Sequence, residues 1–198
     1  MEILTVCTGN ICRSPLAEAV LDQRLGDIGV RVSSAGVQGL RNAPMTPEAA
    51  QLAIGQGASA ERVAAHRSRR LTPAMLAAPD LILAMTRGHR RDILALAPGR
   101  LRATFTVREF ARLAEHLSDD DLVTVAAADV GDASARLRSV IAHLAALRGA
   151  VVAPADARDD DVIDPYLQSA AVYERSTTQM MPGLAQVERV LRLAFSAS

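Results

Sequence analysis

Residues 1–15 read Met1-Glu-Ile-Leu-Thr-Val-Cys7-Thr-Gly-Asn-Ile-Cys-Arg13-Ser-Pro15. A short apolar run leads into Cys7, and Arg13 follows after five intervening residues. Gly9 and Asn10 between them tolerate positive φ, so the backbone N–H groups of this segment can turn toward a common centre. N–H groups that converge at the start of a helix bind anions. With a thiol at one end and a guanidinium at the other, the segment predicts a loop that holds a phosphate group and attacks it.

The residues around this loop predict a strand–helix–strand unit. Residues 2–6 read as a short buried strand, and residues 30–34 as a second one. Between them, Ser14 is expected to cap a helix that Pro15 opens, because serine is preferred at the N-cap and proline at the first helical position. A strand, a helix and a second strand within about 35 residues form a βαβ unit, which implies a parallel sheet.

Apolar periodicity extends the alternation of strands and helices through the rest of the chain. Two more strands are predicted at residues 80–85 and 103–107. Helices are predicted to begin at Thr46 and Thr72-Pro73 and to cover residues 87–97, 109–117, 137–147 and 182–195. The predicted fold is α/β, a three-layer sandwich with a four-stranded parallel sheet flanked by helices and a phosphate-binding loop after the first strand. Ligands of such sheets bind beyond the carboxyl ends of the strands, where Cys7 is expected.

Composition limits the compartment and the partners. The 198 residues predict a single domain, with residues 111–161 as a helical insertion. Lys+Arg and Asp+Glu balance at 22 each, so no global field favours nucleic acid or an acidic membrane. We see no signal peptide or membrane-spanning stretch, and two cysteines make no disulfide framework, so we expect a cytoplasmic protein. The cysteines and the four histidines lack metal-ligand spacing, so neither a metal nor another cofactor is expected.

The chemistry of the loop favours nucleophilic attack. The thiolate is the reactive form of cysteine, and a helix N-terminus, converging N–H groups and a nearby arginine all stabilise it. Arg13 offers a planar fork for two phosphate oxygens. Ser14 can donate a hydrogen bond to the sulfur of Cys7, and Asn10 is suited to hold the loop through its side chain. The same spacing also occurs by chance, but the strand before it and the helix start after it favour the functional interpretation.

The segment from Val6 to Pro15 resembles the signature loop of the low-molecular-weight protein tyrosine phosphatases. The resemblance covers most of residues 1–110 and residues 162–195. It implies an enzyme, a phosphoric monoester hydrolase that acts on phosphotyrosine proteins through a phosphocysteine intermediate. Further matches follow in family order as Ser34-Ala-Gly36, His66-x-Ser-Arg-x-Leu71, Asp80-Leu-Ile-Leu-x-Met85 and Asp164-Pro-Tyr166.

The resemblance also implies roles for single residues. Cys7 is expected to be the nucleophile, Arg13 the clamp on the phosphate, and Asp164 the general acid. Ser34 and His66 are expected to support the loop, and inorganic phosphate or sulfate is expected to bind in it. The residues expected at the phosphate cradle and its rim are Thr8, Gly9, Asn10, Ile11, Cys12, Ser14, Leu40, Arg41 and Tyr166.

The assignment of Asp164 has rivals in the acidic residues 159–161. An Asp-Pro pair is often only a turn. Asp164 is preferred because Pro165 stiffens its loop and Tyr166 could form the wall of a slot for an aromatic ring.

Two supporting residues also have alternatives. His66 could be a surface residue in the basic segment 66–70 rather than a support of the loop. Cys12 is implied by the family to pair reversibly with Cys7 and protect it from over-oxidation. Otherwise Cys12 is a buried thiol.

Other functions fit the same scaffold. Arginine phosphatases resemble this loop but favour a small polar Thr at the position of Ile11, so Ile11 favours phosphotyrosine. Arsenate reductases need further cysteines, and none follows Cys12. A regulatory module that only binds phosphopeptides would lack Cys7, Arg13 or the acid, and all three are present.

The segment 111–161 exceeds what the family fold needs. Its apolar stripe from Leu137 to Leu147 must be buried against the core or against a partner. The segment is therefore either a substrate-selecting or dimerising element or added scaffold, and we expect a monomer or a weak homodimer. The Ala- and Arg-rich composition is compatible with a bacterial source.

Overall fold

The computed structural model describes residues 1–196, and its centre is a four-stranded parallel sheet. The strands lie in the order β2-β1-β3-β4. They are β1 (Glu2–Cys7), β2 (Arg31–Gly36), β3 (Leu81–Ala84) and β4 (Thr104–Thr106). β1 pairs with β2 as far as Cys7 opposite Gly36, and with β3 as far as Val6 opposite Ala84. The carboxyl ends of these three strands therefore meet at one edge of the sheet.

Side chains alternate between the two faces of the sheet and enter two cores. Ile3 and Leu83 belong to the larger core, whereas Leu4 and Ile82 belong to a smaller one that also contains Ile93. Because both faces are covered, β3 and most of β1 read as nearly continuous apolar runs rather than as an alternating pattern. The predicted three-layer α/β fold is confirmed.

Eight α-helices surround the sheet within residues 1–196. They are α1 (Arg13–Leu25), α2 (Pro47–Gly55), α3 (Ala60–Ala65), α4 (Arg87–Leu96), α5 (Val107–Ala114), α6 (Asp119–Ala127), α7 (Ala133–Ala146) and α8 (Ala170–Ser196). Thr46 caps α2 as predicted, since its side chain accepts a hydrogen bond from the backbone N–H of Ala49. The helix predicted at Thr72-Pro73 is only a short 3-10 turn, Pro73–Leu76.

The predicted N-cap of α1 is wrong. The helix begins at Arg13, and Cys12 occupies the cap position without a side-chain hydrogen bond to the backbone of the helix. Ser14 lies inside the first turn, where its hydroxyl contacts Cys7 and Asn10 instead of the helix backbone. Tertiary partners thus outweigh the capping preference of serine, and within residues 1–196 no side chain caps the N–H groups at this end of the helix.

The predicted start of the last helix is also wrong, because α8 begins at Ala170 rather than at Pro182. Pro182 lies inside the helix and removes one backbone hydrogen bond. Burial of a continuous apolar face compensates for that loss, and Gly183 lets α8 approach α5 closely. A Cβ atom at Gly183 would lie 2.3 Å from Cγ1 of Val107. The buried residues on both sides of the proline include Tyr173, Thr177, Met180, Leu184 and Val187.

The segment 111–161 supplies α6, α7 and the end of α5. Its apolar stripe is buried in the protein's own larger core, in which Leu137, Val140 and Leu144 join Phe105 of β4. Of the alternatives for the stripe, burial against the core is therefore the one observed. No helix within residues 1–196 has the length and apolar character needed to cross a membrane.

Candidate active site

The loop between β1 and α1 forms a cradle around the sulfur of Cys7. Cys7 is the last residue of β1 and is buried. Asn10 adopts a left-handed conformation with φ of 58°, and its backbone N–H donates to Sγ of Cys7 over 3.3 Å. Oγ of Ser14 lies 3.0 Å from the same sulfur. The sulfur is thus contacted by the backbone N–H of Asn10 and by the hydroxyl of Ser14.

The side chain of Asn10 holds this loop from behind. Its Nδ2 donates to Oγ of Ser14 over 3.0 Å and to Oγ of Ser34 over 2.7 Å. Its Oδ1 accepts the backbone N–H of Arg69 over 2.9 Å, and Nε2 of His66 lies 2.9 Å from its carbonyl oxygen. Five hydrogen bonds, counting the one to Cys7, therefore fix a residue in a conformation that is costly for non-glycine side chains.

Glu18 supports this network and was not predicted from the sequence. Ser34 donates a hydrogen bond to its carboxylate, and Nδ1 of His66 lies 3.7 Å from the same carboxylate oxygen. Arg62 forms an ion pair with Glu18 at 3.2 Å. Glu18 follows Ser14 by one helical turn on α1, so the spacing alone could have indicated it. Both predicted supports, Ser34 and His66, contact the loop, and His66 is not a free surface residue.

The backbone at the end of β2 and just after it packs closely against the backbone of the cradle. A Cβ atom at Gly36 would lie 2.5 Å from the carbonyl oxygen of Thr8 and 2.9 Å from the backbone nitrogen of Asn10. Backbone hydrogen bonds of 2.9 Å and 3.0 Å join Val37 and Gln38 to Cys7 and Thr8. Only glycine fits position 36, because any other side chain would push the two loops apart.

Arg13 is 4% exposed and carries most of the charge at this site. Its Nη1 donates to the carbonyl oxygen of Val162 over 3.1 Å, and its Nη2 lies 2.6 Å from Oδ2 of Asp164. Its Nε is buried and has no hydrogen-bond partner within residues 1–196. Nε and Nη2 form one edge of the guanidinium, the edge that binds an oxyanion through two hydrogen bonds. One donor of this edge is open, and the other is occupied by a carboxylate.

Asp164 lies on a loop that the early part of α8 holds in place. Its carboxylate is half exposed, and its Oδ1 accepts the backbone N–H of Tyr166 over 3.2 Å. Ser176 of α8 donates to the carbonyl oxygen of Ile163 over 3.0 Å, and Gln179 accepts the backbone N–H of the same residue over 2.9 Å. These supports were not predicted, because they lie on the part of α8 that precedes Pro182.

A pocket of about 270 Å³ opens above the cradle. It brings the predicted nucleophile, clamp and acid together with two of the predicted rim residues. Gln38 also lines it and was not predicted, whereas Arg41 is exposed and outside the lining. Asn10 and Ser14 lie behind the cradle as supports. The lining consists of Cys7, Thr8, Gly9, Ile11, Cys12, Arg13, Gln38, Leu40, Asp164 and Tyr166.

Residues 2–121 match the family described as low molecular weight phosphotyrosine protein phosphatase. The chain belongs to this family. It is 49% identical over 97 residues to the low molecular weight protein-tyrosine-phosphatase Etp of Escherichia coli K12, and the match covers 49% of this chain and 62% of Etp. It is 40% identical over 114 residues to the protein-arginine-phosphatase of Bacillus subtilis, covering 56% and 72% of the two chains.

A solved phosphatase structure is similar over nearly the whole fold. It is the YwlE arginine phosphatase in a cysteine-to-serine variant with a phosphorylated active-site serine. The TM-score is 0.65 at 25% identity, with 97% of this chain and 96% of that chain covered. The family match ends at residue 121, so the similarity in fold extends beyond the similarity in sequence.

Cys12, the second cysteine of the family loop, lies in a buried polar cluster below the cradle. Its sulfur is 3.5 Å from Oγ1 of Thr46 and 3.6 Å from the hydroxyl of Tyr173. Burial raises the pKa of the Cys12 thiol, and it raises the pKa of Tyr173 to about 12. Neither cysteine is in a disulfide, and the raised pKa keeps the thiol of Cys12 protonated at neutral pH.

Proposed function

We propose that this member of the family is a phosphoric monoester hydrolase that cleaves phosphotyrosine in protein substrates through a phosphocysteine intermediate. The observation that carries the proposal is the buried guanidinium of Arg13, whose Nε has no partner within residues 1–196. An unpaired buried donor is costly, and a bound phosphate would satisfy it. Arg13 lines the same pocket as Cys7 and Asp164. Inorganic phosphate or sulfate should bind there as well.

In the first step, the thiolate of Cys7 attacks the phosphorus and the bond to the tyrosine oxygen breaks. Asp164, once released from Arg13, takes up a proton from solvent and gives it to that oxygen, because a phenolate leaves poorly without one. Arg13 and the N–H groups of the loop bind the equatorial oxygens of the phosphoryl group. The phosphate binds to Nε and Nη2 of Arg13. Asp164 therefore loses its ion pair with Arg13 and can reach the leaving oxygen.

In the second step, Asp164 accepts a proton from a water molecule, which attacks the phosphorus of phosphocysteine. The phosphorus–sulfur bond breaks, and Cys7 leaves as a thiolate. Ser14 at 3.0 Å and the backbone N–H of Asn10 at 3.3 Å stabilise the charge on that sulfur. Inorganic phosphate is the product. Within residues 1–196, no group of three or more His, Cys, Asp or Glu side chains is arranged to hold a metal ion.

The walls of the pocket favour an aromatic substrate. Tyr166 and Leu40 are partly exposed at its mouth, and Ile11 lines its floor with an apolar side chain. A tyrosine ring between an aromatic and two aliphatic side chains buries more apolar surface than the polar phosphoguanidine group of phosphoarginine would. Etp, the relative with higher identity, is named a tyrosine phosphatase.

Arginine phosphatase activity is the second candidate. The Bacillus subtilis relative carries that name, and the match covers 72% of it. The phosphorylated serine in the YwlE structure supports a covalent intermediate on the same fold.

A direct comparison of substrates tests the proposal. Phosphotyrosine and phosphoarginine peptides are assayed side by side with the wild type, Cys7→Ser and the matched control Cys12→Ser. We expect hydrolysis of phosphotyrosine, loss of turnover in Cys7→Ser and retained turnover in Cys12→Ser. Faster hydrolysis of phosphoarginine would select the second candidate. Undiminished turnover by Cys7→Ser would contradict the assignment of the nucleophile.

We also propose that residues 1–198 form a single phosphatase domain in which 111–161 is added scaffold, because the stripe from Leu137 to Leu147 is used by the protein's own core. With that stripe covered, a monomer or a weak homodimer is favoured over a stable dimer. A cytoplasmic location suits a mechanism that needs Cys7 as a free thiol.

A further inference from the structure

His89 contacts the phosphate cradle from the side of β3 and was not predicted. It is 7% exposed and lies in the first turn of α4. Its Nε2 is 2.9 Å from Oγ1 of Thr8, and its Nδ1 is 3.0 Å from Oγ1 of Thr86. The imidazole thus bridges the N-cap of α4 and a side chain of the pocket.

The imidazole is neutral and its two nitrogens have different roles. Burial and the nearby cation of Arg13 lower the pKa of His89 to about 4. Oγ1 of Thr86 already accepts the backbone N–H of His89 over 3.1 Å, and within residues 1–196 the acceptor available to its hydroxyl proton is Nδ1 of His89. This network assigns Nδ1 as the acceptor and Nε2–H as the donor to Thr8.

The assignment fixes the direction of the Thr8 hydroxyl. A hydroxyl has one proton and two acceptor sites. One site of Thr8 accepts Nε2–H of His89, and the other faces Nη2 of Arg13 at 3.5 Å. Its proton must therefore point away from both donors, and Thr8 lines the pocket that contains Cys7.

We propose that the hydroxyl of Thr8 is a further donor to the substrate phosphate, and that His89 is a positioning residue that directs this proton into the pocket. The inference rests on the proposed function only in that a phosphate group binds in the cradle. A neutral His89 suits the role, because it offers Thr8 a donor on one side and keeps a second cation away from Arg13. The bond from Thr8 adds to those from the backbone N–H groups and Arg13.

Binding of inorganic phosphate, measured by calorimetry on the reduced protein near neutral pH, tests this role apart from turnover. Thr8→Val keeps the shape of the side chain and removes the hydroxyl, and we expect it to weaken binding at least about tenfold, as for a hydrogen bond to a charged group. Thr8→Ser should bind like the wild type. His89→Ala should weaken binding as Thr8→Val does, and His89→Gln, whose amide reaches the position of Nε2, should restore most of it.

The double variant separates positioning from a general structural role. With the hydroxyl absent in Thr8→Val, adding His89→Ala should cause no further loss of phosphate binding. A second loss of similar size would overturn the positioning role, and wild-type binding by Thr8→Val would overturn the role of the hydroxyl. His116→Ala is the control, because His116 is exposed, contacts the carbonyl oxygen of Arg112 through its Nδ1, and lies outside the pocket.

Turnover of phosphotyrosine by the wild type is measured on the same preparations. If the wild type has no turnover but the variants show the expected pattern of phosphate binding, the proposed function fails and the role of Thr8 stands. If the wild type turns over phosphotyrosine but Thr8→Val binds phosphate as well as the wild type does, the role of Thr8 is refuted and the proposed function stands.

Discussion

Replacing Asp164 with asparagine should strengthen phosphate binding and weaken turnover in the same protein. Oδ2 of Asp164 lies 2.6 Å from Nη2 of Arg13 and so occupies a donor that a phosphate needs. Asparagine keeps the size of the side chain but removes the charge. The variant should therefore release Arg13 for an anion while losing the group that protonates the leaving oxygen.

The size of the binding effect follows from exposure. Arg13 is buried, but the side chain of Asp164 is 51% exposed, so the pair is screened on one side by water. Ion pairs of this kind contribute about 0.2–1 kcal/mol, which corresponds to phosphate binding up to about fivefold tighter once the pair is gone. Loss of a general acid lowers kcat by roughly 10²–10⁴. The two effects have opposite signs and differ by orders of magnitude.

The assay combines inhibition by inorganic phosphate with turnover of two aryl phosphates, one with a good leaving group and one with a poor one. In Asp164→Asn, the inhibition constant should fall, and kcat should fall more for the poor leaving group. Asp159→Asn, in the acidic segment that competed with Asp164, is the matched control and should change neither. Equal losses on both substrates, or weaker inhibition by phosphate, would refute the reasoning.

Three further predictions concern redox behaviour, packing and pH. Cys12→Ser should turn over substrate normally but recover poorly after peroxide and thiol treatment, and unchanged recovery would leave Cys12 a structural thiol. Gly183→Ala should lower the free energy of unfolding by about 1–3 kcal/mol in urea titrations, because its Cβ would lie 2.3 Å from Cγ1 of Val107; an unchanged midpoint would contradict this close packing. The pKa of His89 is lowered from 6.5 to about 4 in the folded protein, so as the pH falls the unfolded chain binds a proton on this histidine before the folded protein does. The free energy of unfolding should therefore decrease as the pH drops from about 6.5 to about 4. In His89→Gln this loss of stability, on the order of 3 kcal/mol, should be absent. If the free energy of unfolding changes equally with pH in the wild type and in His89→Gln, the prediction is contradicted.

The sheet and the loop could be predicted from the sequence because their signals are local. β3 reads as an unbroken apolar run, which is typical of a strand buried on both faces. Gly9 and Asn10 both tolerate positive φ, and Asn10 adopts it, whereas Gly9 does not. In both cases the residues that carry the signal are the residues that adopt the structure.

The errors arise where a distant partner decides the structure. Serine is a preferred N-cap residue, but the hydroxyl of Ser14 contacts Cys7 and Asn10 instead of capping the helix. Pro182 reads as a helix start, yet the buried face of α8 continues through it. The spacing within a segment cannot show which long-range contact will outweigh a local preference.

The supports of the cradle follow from the position of β1 in the sheet. Because β1 lies between β2 and β3, the loop after it is flanked by the segment after β2 on one side and by α4, which follows β3, on the other. Ser34 accordingly reaches Asn10 from the first side, and His89 reaches Thr8 from the second. Strand order can be argued from sequence, and it predicts that these neighbours exist. Which atoms meet depends on the register and on the length of each loop. Those determine whether a side chain at the edge of the sheet contacts the cradle.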